Sequence, residues 1–168
     1  MLLSFWFGPV IRLRWFVCEV TKFMKLQLDI VTAERLVSSD EADVVVIPGI
    51  LGELGVLPLH APLLTVLKPG EIRVVRDDEE SFIAVSGGFV EVLGNKVTIL
   101  ADTAERAEEI DSQRTEEAFK RAQKEIVSAT SDVDLERAMA SLRRSQARMK
   151  VARRRRGRNH GSTIPPGA

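Results

Sequence analysis

The segment from residue 49 to residue 64 restricts the fold of this chain more than any other part of the sequence. Glycines at positions 49, 52 and 55 allow its backbone to turn tightly, and Pro58 and Pro62 fix the φ angle on either side of His60. Prolines at that spacing exclude a helix. The pattern predicts a shaped surface loop between strands.

The chain on both sides of this segment shows the two-residue period of half-buried strands. Leu26, Leu28 and Ile30 alternate with polar residues. Further short strands are predicted at 42–47, 63–67, 72–76, 89–93 and 96–100, with a Gly-Asn hairpin turn at 94–95. A charged hairpin tip is predicted at 77–80, before the alternating strand residues Phe82, Ala84 and Ser86. Short strands with frequent turns favour an antiparallel sandwich over a parallel sheet with crossover helices. We therefore predict an antiparallel β-sandwich over residues 24–104.

From residue 104 the apolar period becomes that of a helix. Asp111 is predicted to cap a first helix, segment 128–132 ends it, and a second helix begins near Val133. The predicted apolar faces are Thr115, Ala118, Phe119, Ala122 and Ile126 on the first helix, and Leu135, Met139, Leu142, Gln146 and Met149 on the second. The fold class is thus α+β, an N-terminal antiparallel β-sandwich followed by a C-terminal α-helical hairpin over 105–156. Residues 157–168 are expected to form a disordered tail.

Charge is distributed unevenly along the chain. Basic and acidic residues both number 24, but residues 137–160 carry ten basic residues and no acidic one. The first 136 residues therefore carry 14 basic and 24 acidic groups, a net charge of −10. The C-terminal region is a cationic arm on an acidic body. Cys18, the single cysteine, excludes an intrachain disulfide and fits a reducing compartment.

Residues 1–23 differ from the rest of the chain. They hold both tryptophans and four of the seven phenylalanines, and Pro9, Arg12 and Arg14 interrupt the apolar run. The segment has neither the roughly 20 uncharged residues of a membrane span nor the order of a signal peptide. We interpret it as an atypical extension that reflects a wrongly assigned translation start, the alternative being a disordered or surface-bound extension.

The sequence contains almost no catalytic pattern. The glycine-rich segment leads into no helix, and no phosphate-binding loop of the Gly-x-x-x-x-Gly-Lys-Ser/Thr type is present. His60 and His160 are the two histidines, and a lone histidine in a proline-bounded loop is more often a packing or interface residue than a ligand. The chain is predicted not to be an enzyme by itself, with no catalytic residue, no metal site and no required cofactor.

Five motifs in order give the chain a family resemblance. They are Leu28–Glu34, Pro48–Leu64, Lys68–Gly70, Gly87–Val92 and Val97–Glu105. Together they resemble the ε subunit of F-type, rotary ATP synthases, over about 80% of the chain. The resemblance implies a non-catalytic central-stalk subunit that couples proton flow through the c ring to ATP synthesis. Its partners would be the γ subunit, the c ring and the α and β subunits.

The resemblance also implies a location. The chain would lie at the cytoplasmic face of the bacterial cell membrane as a peripheral protein, associated with the membrane only through the complex.

The resemblance assigns contact residues to the glycine-rich segment. Glu53 would meet the polar loops of the c ring, and His60 would lie where the segment turns toward γ and the ring. Leu54, Val56 and Leu57 would supply the buried apolar area. The alternative for Glu53 is a solvated turn residue.

A second motif resembles the nucleotide box of ATP-binding bacterial ε subunits. In Ile110–Thr115, the resemblance implies that Asp111 accepts from adenine while Arg114 and Arg121 approach the phosphates, with Ile110 in the box and Glu105 at its edge. Thr115 departs from the alanine of the family box. The alternative is structural, with Asp111 as an ordinary N-cap and the two arginines on a solvated face.

The basic second helix allows two functional interpretations. In the family this helix extends along γ and blocks ATP hydrolysis by meeting an acidic segment of a β subunit. The residues implied are Arg143, Arg144, Arg148, Arg153, Arg154, Arg155 and Arg156. The alternative is a nucleic-acid-binding arm, which is weaker because no aromatic residue follows Phe119 to stack on bases. A third interpretation is that the charges only solvate the hairpin.

Overall fold

The computed structural model describes the backbone of residues 24–161 and the side chains as far as Arg154. The extension at 1–23, residues 162–168 and the side chains of Arg155 and Arg156 lie outside the described part. In the described part, ten strands precede two helices. The strands are β1 (Leu26–Val31), β2 (Leu36–Ala42), β3 (Val44–Gly49), β4 (Gly52–Val56), β5 (Leu63–Leu67), β6 (Gly70–Arg76), β7 (Glu79–Val85), β8 (Gly88–Leu93), β9 (Lys96–Ala101) and β10 (Ala104–Arg106). The helices are α1 (Ser112–Ser128) and α2 (Asp132–Gly161).

The strands form one hydrogen-bonded sheet that folds over itself. Its order is β10-β7-β6-β3-β5-β8-β9-β1-β2, with β4 paired to β3 outside this path. The pairs among the described strands are antiparallel, except that β1 runs parallel to β9. The predicted β-sandwich and the following helices are confirmed, but the purely antiparallel pattern is wrong at this pair. A parallel pair needs only a long connection, which the strands between β1 and β9 supply here in place of a crossover helix.

Side chains close the gap between the two ends of the sheet. Arg106 on β10 donates from Nη2 to the carbonyl oxygen of Val37 on β2 at 2.9 Å. Asp40 on β2 lies 3.8 Å from both Arg76 and Arg106. These bonds occupy polar groups of the edge strand β2, as natural sheets commonly require.

The core lies between the two halves of the folded sheet. Alternate residues of β1 point inward, and Leu26, Leu28 and Ile30 are fully buried. They pack with inward residues of β8 and β9 such as Val90 and Val97. The two-residue period seen in the sequence therefore marks the core face correctly.

Hairpin turns lie where the sequence predicts them. Gly94 joins β8 to β9 with a φ of 61°, which glycine adopts without strain. Asp77 and Asp78 form the tip between β6 and β7 with positive φ angles of 51° and 65°. Three strands, β2, β4 and β10, are absent from the sequence-based prediction. Strand β10 pairs with β7, so the period change at residue 104 marks a short edge strand before the helix.

Helix α1 begins as the sequence predicts. The Asp111 carboxylate accepts hydrogen bonds from the backbone N–H groups of Gln113 at 2.9 Å and Arg114 at 3.2 Å. This satisfies two of the four unpaired donors at the helix start. The Thr115 hydroxyl is buried and donates to the Asp111 carbonyl at 2.6 Å. The predicted apolar face is confirmed, since its five residues are buried or half-buried.

Helix α2 buries a face that only partly matches the predicted one. Leu142 and Met149 are half-buried, but Leu135, Met139 and Gln146 are exposed. The buried residues are Ala138, Ser145, Ala147, Val151 and Ala152. Because α2 packs against both α1 and the β6–β7 part of the sheet, small side chains lie at the close contacts, and a search weighted to large apolar residues misses them. The helix also continues to Gly161, five residues beyond the expected hairpin end at 156.

Candidate functional site

The glycine-rich segment is not a single loop. Residues 52–56 form β4, which pairs with β3 and is joined to it by a tight turn at Ile50 and Leu51. Gly52 needs its glycine because its φ is 142°. A second turn follows at 57–60, where the His60 N–H donates to the Leu57 carbonyl at 3.1 Å. Tertiary pairing with β3 thus imposes a strand where the glycines alone predict a loop.

Strand β4 separates the predicted contact residues. Glu53 is exposed and lies opposite Pro48, near the Ile50–Leu51 turn. Leu57 and the half-buried His60 lie beyond the other end of the strand, ~13 Å or more from Glu53 at ~3.3 Å of rise per residue. The segment therefore presents two separate ends to any partner.

Two of the predicted apolar contact residues belong to the core side. Val56 is fully buried and packs within the sandwich core, so its prediction as an interface residue is wrong. Leu54 is partly buried and packs against the same core. Leu57 remains exposed. Side chains of β4 alternate between the core and the surface, and this alternation decides which of them a partner can reach. The prediction of a loop implied no such alternation.

An unpredicted row of apolar side chains crosses the outer face of the sheet. Register pairs Val66 with Phe89, Phe89 with Leu100, Leu100 with Val31, and Val31 with Leu36. We call these five residues on β5, β8, β9, β1 and β2 the apolar row. Val66 is 41% exposed, Phe89 54% and Leu100 55%. A contiguous apolar strip of this kind on a soluble domain marks a contact surface.

The apolar row has apolar and polar neighbours. Ile50 lies beside it, since its N–H donates to the Val66 carbonyl at 3.1 Å. The next row of outward residues carries Glu91, Thr98 and Asp29. The hydrogen bond from Lys96 and the one from the Ser39 hydroxyl lower the pKa of Asp29 below its ordinary value. A polar margin beside an apolar centre is the usual composition of a protein interface.

A sequence signal for the apolar row exists. Phe89 and Leu100 occupy outward positions of strands that already have a complete inward face. A strand with apolar residues on both faces is either buried on both sides or docked on something. The row itself could not be assembled without the register of five strands.

The predicted nucleotide box is already engaged in structural contacts. Asp111 caps α1, Ile110 is buried, and Glu105 forms an ion pair with Arg148 of α2. Arg114 and Arg121 are exposed. The structure thus places the box on the sheet-to-helix linker and α1. The carboxylates of Asp111 and Glu105 are already bound, by backbone N–H groups of α1 and by Arg148.

The hairpin docks on the sandwich through the C-terminal half of α2. Val151 and Ala152 pack with Phe82 and Ala84 of β7 and with residues of the 107–110 linker. The Arg154 guanidinium lies 5.2 Å from the centre of the Phe82 ring. Beside this contact is a cavity of about 790 Å³ lined in part by Phe82, Phe119 and Met149.

The arginines of α2 fall into two groups. Arg148 and Arg154 face carboxylates of the sandwich, Glu105 and Glu71 respectively. Arg143, Arg144 and Arg153 are exposed and form no ion pair within the described part of the chain. The second group is free to meet another molecule.

An ion pair fixes the linker between sheet and helix. Arg35 in the β1–β2 connection donates to Glu109 at 2.7 Å, and this hydrogen bond lowers the pKa of Glu109 below its ordinary value of 4.5. Both side chains are partly exposed, so the pair contributes little stability.

No group of three or more metal-binding side chains occurs among residues 24–154. No described helix is both long and apolar enough to span a membrane.

Comparison with known proteins identifies two regions. The family "ATP synthase, Delta/Epsilon chain, beta-sandwich domain" matches residues 25–107, and "ATP synthase, Delta/Epsilon chain, long alpha-helix domain" matches residues 108–153. An ATP synthase epsilon chain of Herpetosiphon aurantiacus is 53% identical over 135 residues, covering 80% of this chain and 99% of that relative. One of Desulforamulus reducens is 48% identical over 126 residues, covering 75% and 96%.

Solved structures show the same fold at low identity. A chain of the Euglena gracilis mitochondrial ATP synthase (OSCP/F1/c-ring) aligns with a TM-score of 0.67 at 21% identity, covering 76% of this chain and 81% of that one. A chain of the Tetrahymena thermophila mitochondrial ATP synthase central stalk and c-ring aligns with a TM-score of 0.56 at 14% identity, covering 76% and 96%.

Proposed function

The chain belongs to the delta/epsilon family of ATP synthases, whose epsilon subunit is a non-catalytic part of the rotary central stalk, and we propose that it couples proton flow through the c ring to ATP synthesis. Its partners are then γ, the c ring, and the α and β subunits. The working parts are the sandwich, about 24–104, and the hairpin, about 105–156. The apolar row on the sandwich is the observation that carries the proposal.

The apolar row is proposed as the surface that docks on γ. Coupling requires a firm attachment to the rotating stalk, and apolar burial supplies affinity that exposed ion pairs do not. Four of its side chains are more than 40% exposed in the isolated chain, so area remains to be buried. A partner that covers the row would also reach the adjoining Ile50.

The c-ring contact is proposed for Glu53 and the neighbouring Ile50–Leu51 turn. An exposed carboxylate there can pair with ring cations, at ~1 kcal/mol or less, so that it sets register more than affinity. Leu57 and His60 lie beyond the opposite end of β4 and cannot share that contact. We assign them to the γ side.

Co-purification tests membership of the motor. A tagged full-length chain expressed in its own cells should bring α, β and γ with it. A tagged Phe89→Asp/Leu100→Asp variant should lose them, whereas Val127→Asp/Val133→Asp, which changes exposed apolar residues on the hairpin, should keep them. Failure of the wild-type chain to retain any of these subunits would reject the proposal.

The hairpin is proposed as a brake on ATP hydrolysis. Its exposed cations Arg143, Arg144 and Arg153 would meet an acidic surface of a β subunit when α2 leaves the sandwich. The remaining arginines of the predicted contact are Arg148, Arg154, Arg155 and Arg156. Arg148 and Arg154 pair with carboxylates of the sandwich in the docked arrangement.

Deletion and charge removal test the brake. Deleting residues 129–168 should leave assembly intact and raise ATP hydrolysis by the complex. Replacing Arg143, Arg144 and Arg153 by glutamine should give the same increase, because it removes the cations of the proposed contact with the β subunit. These changes spare the described ion pairs of α2 with the sandwich. Replacing Lys120 and Lys124 on α1 by glutamine is the control for loss of positive charge elsewhere on the hairpin. Hydrolysis unchanged by the deletion would show that the hairpin is only structural.

A regulatory ATP is proposed at the nucleotide box. Arg114 and Arg121 are exposed and available for phosphates, while Asp111 would have to exchange its capping bonds for adenine. If ATP binds only the docked arrangement, a concentration of 100 times its Kd would favour docking by ~2.7 kcal/mol. Equilibrium dialysis at millimolar ATP should show retention that Arg114→Gln/Arg121→Gln abolishes. Lack of retention by the wild-type chain would exclude the site.

The location follows from the partners. We propose that the chain lies at the cytoplasmic face of the bacterial cell membrane and associates with it only through the complex. A nucleic-acid-binding arm finds no support in the family comparison and is not proposed.

A further inference from the structure

Glu71 on β6 is a buried carboxylate beneath helix α2. Its side chain is only 6% exposed, although it lies on the sheet surface that the hairpin covers. The helix turn from Lys150 to Arg154 lies over it. Burying a charged group requires compensation by an opposite charge or by hydrogen bonds.

The compensation for Glu71 is incomplete and comes from α2. Lys150 Nζ lies 3.5 Å from Oε1, and Arg154 Nε lies 3.7 Å from Oε2. Glu71 Oε2 has no hydrogen-bond partner among the described residues. The two cations thus act mainly through charge, and both remain about half exposed.

The apolar contact under α2 is small. Val151 and Ala152 are its buried members on the described part of the helix, and the opposite side consists of Phe82, Ala84, Ala107 and Ile110. A second ion pair of this interface among the described residues, Glu105 with Arg148, is partly exposed on both sides and is therefore screened by solvent. Charge compensation of Glu71 therefore has a large effect on the equilibrium between docked and released hairpin.

The two sides of this ion cluster respond differently to loss of the partner. Removing the cations leaves a buried carboxylate without compensation, which is strongly unfavourable. Removing the carboxylate charge leaves two half-exposed cations that water can solvate. Moving α2 away exposes Glu71 to water. Undocking therefore lowers the free energy of the chain that lacks the cations, but it gives no such gain to the chain that lacks the carboxylate charge.

We propose that Glu71 makes docking of α2 conditional on Lys150 and Arg154, so that an acidic partner surface which captures these cations expels the helix from the sandwich. Glu71 is then the group that converts cation capture into hairpin release. The identity of the acidic surface as part of the motor rests on the proposed function. The effect of Glu71, Lys150 and Arg154 on docking is a property of the isolated chain and is tested there. Failure of this effect and failure of the proposed brake are therefore separate results.

Distances between paired spin labels on the full-length chain report docking. Lys68 on the sandwich and Glu136 on α2 are exposed, and both are changed to cysteine for labelling in a Cys18→Ser background. Double electron–electron resonance then gives the fractions of docked and released hairpin. Hydrogen exchange of the β8 and β9 amides checks that the sandwich is folded in every variant.

Lys150→Gln/Arg154→Gln should raise the ratio of released to docked hairpin at least about tenfold, which corresponds to ~1.4 kcal/mol. Adding Glu71→Gln to this variant should return the ratio to within about threefold of the wild type. Glu71→Gln alone should change it by less than about threefold. Lys150→Gln/Arg153→Gln is the matched control, because it removes the same net charge but keeps Arg154, and its effect should be clearly smaller.

Poly-L-glutamate serves as the acidic probe. It should release the hairpin of the wild type and leave Glu71→Gln docked. The proposal is overturned if Glu71→Gln fails to rescue the variant lacking both cations, if the matched control releases the hairpin equally, or if the probe acts alike on the wild type and Glu71→Gln.

Discussion

Replacing Phe89 by serine should weaken attachment to γ without unfolding the chain. Phe89 lies between Val66 and Leu100 in the apolar row and is 54% exposed. With ~200 Å² of side-chain surface, ~110 Å² remains to be buried, which corresponds to ~2.7 kcal/mol at ~25 cal/mol per Å². Full burial by γ therefore predicts a Kd about 100 times higher in Phe89→Ser.

The assay is titration of the labelled chain against purified γ at fixed ionic strength. Phe89→Ser should stay folded, because Phe89 points outward and lies outside the sandwich core, and thermal unfolding of the variant checks this. Val127→Ser, which alters an exposed apolar residue of α1, should keep the wild-type Kd. A loss of less than about fivefold for Phe89→Ser would show that γ does not cover the apolar row and would refute the docking argument.

Three further predictions concern folding. Gly88→Ala should lower the free energy of unfolding by ~3 kcal/mol or more, because φ is +126° and a Cβ would lie 2.1 Å from the Leu100 carbonyl oxygen; Gly55→Ala, where nothing lies within 4 Å, should cost far less in urea titration. Asp111→Ala should cost ~1 kcal/mol and fray α1 in circular dichroism, whereas Asp111→Asn keeps the cap, and equal stability of both variants would contradict this. Glu109 has a lowered folded-state pKa, so its contribution is present above pH 4.5 and is lost as pH falls through the folded pKa. Glu109→Gln should thus reduce the loss of unfolding free energy at acidic pH by under ~1 kcal/mol. An unchanged dependence of the unfolding free energy on pH would show that ionisation of Glu109 is not coupled to folding.

Local patterns in the sequence predicted much of the fold. The alternation at Leu26, Leu28 and Ile30 marked the core face of β1, and the Gly94 turn joined the strands that it was expected to join. Asp111 identified the start of α1 because capping depends on neighbours within three residues. Predictions that depended on packing partners were less accurate. Strand β4 was missed because its glycines predict a loop and only pairing with the neighbouring strand β3 makes it a strand. The buried face of α2 was predicted only in part because it is set by packing against β6 and β7, which are distant in sequence.

The candidate site was predicted only in its parts. Glu53, Leu57 and His60 were found as members of one segment, but β4 separates them and turns Val56 into the core. The apolar row was not predicted, since Val66, Phe89 and Leu100 are far apart in the chain until the register aligns them.

The amino-acid sequence by itself determined the order of sandwich and hairpin, the strand period, the cap of α1 and the cationic arm, because these depend on residues close together in the chain. Tertiary structure decided which apolar side chains are left uncovered, and it brought Glu71 under Lys150 and Arg154. Burial and charge compensation are properties of groups that meet only after the chain has folded. For that reason the sequence shows Glu71 only as a polar residue of the turn before the strand at 72–76, and it becomes a buried charge only in the folded molecule.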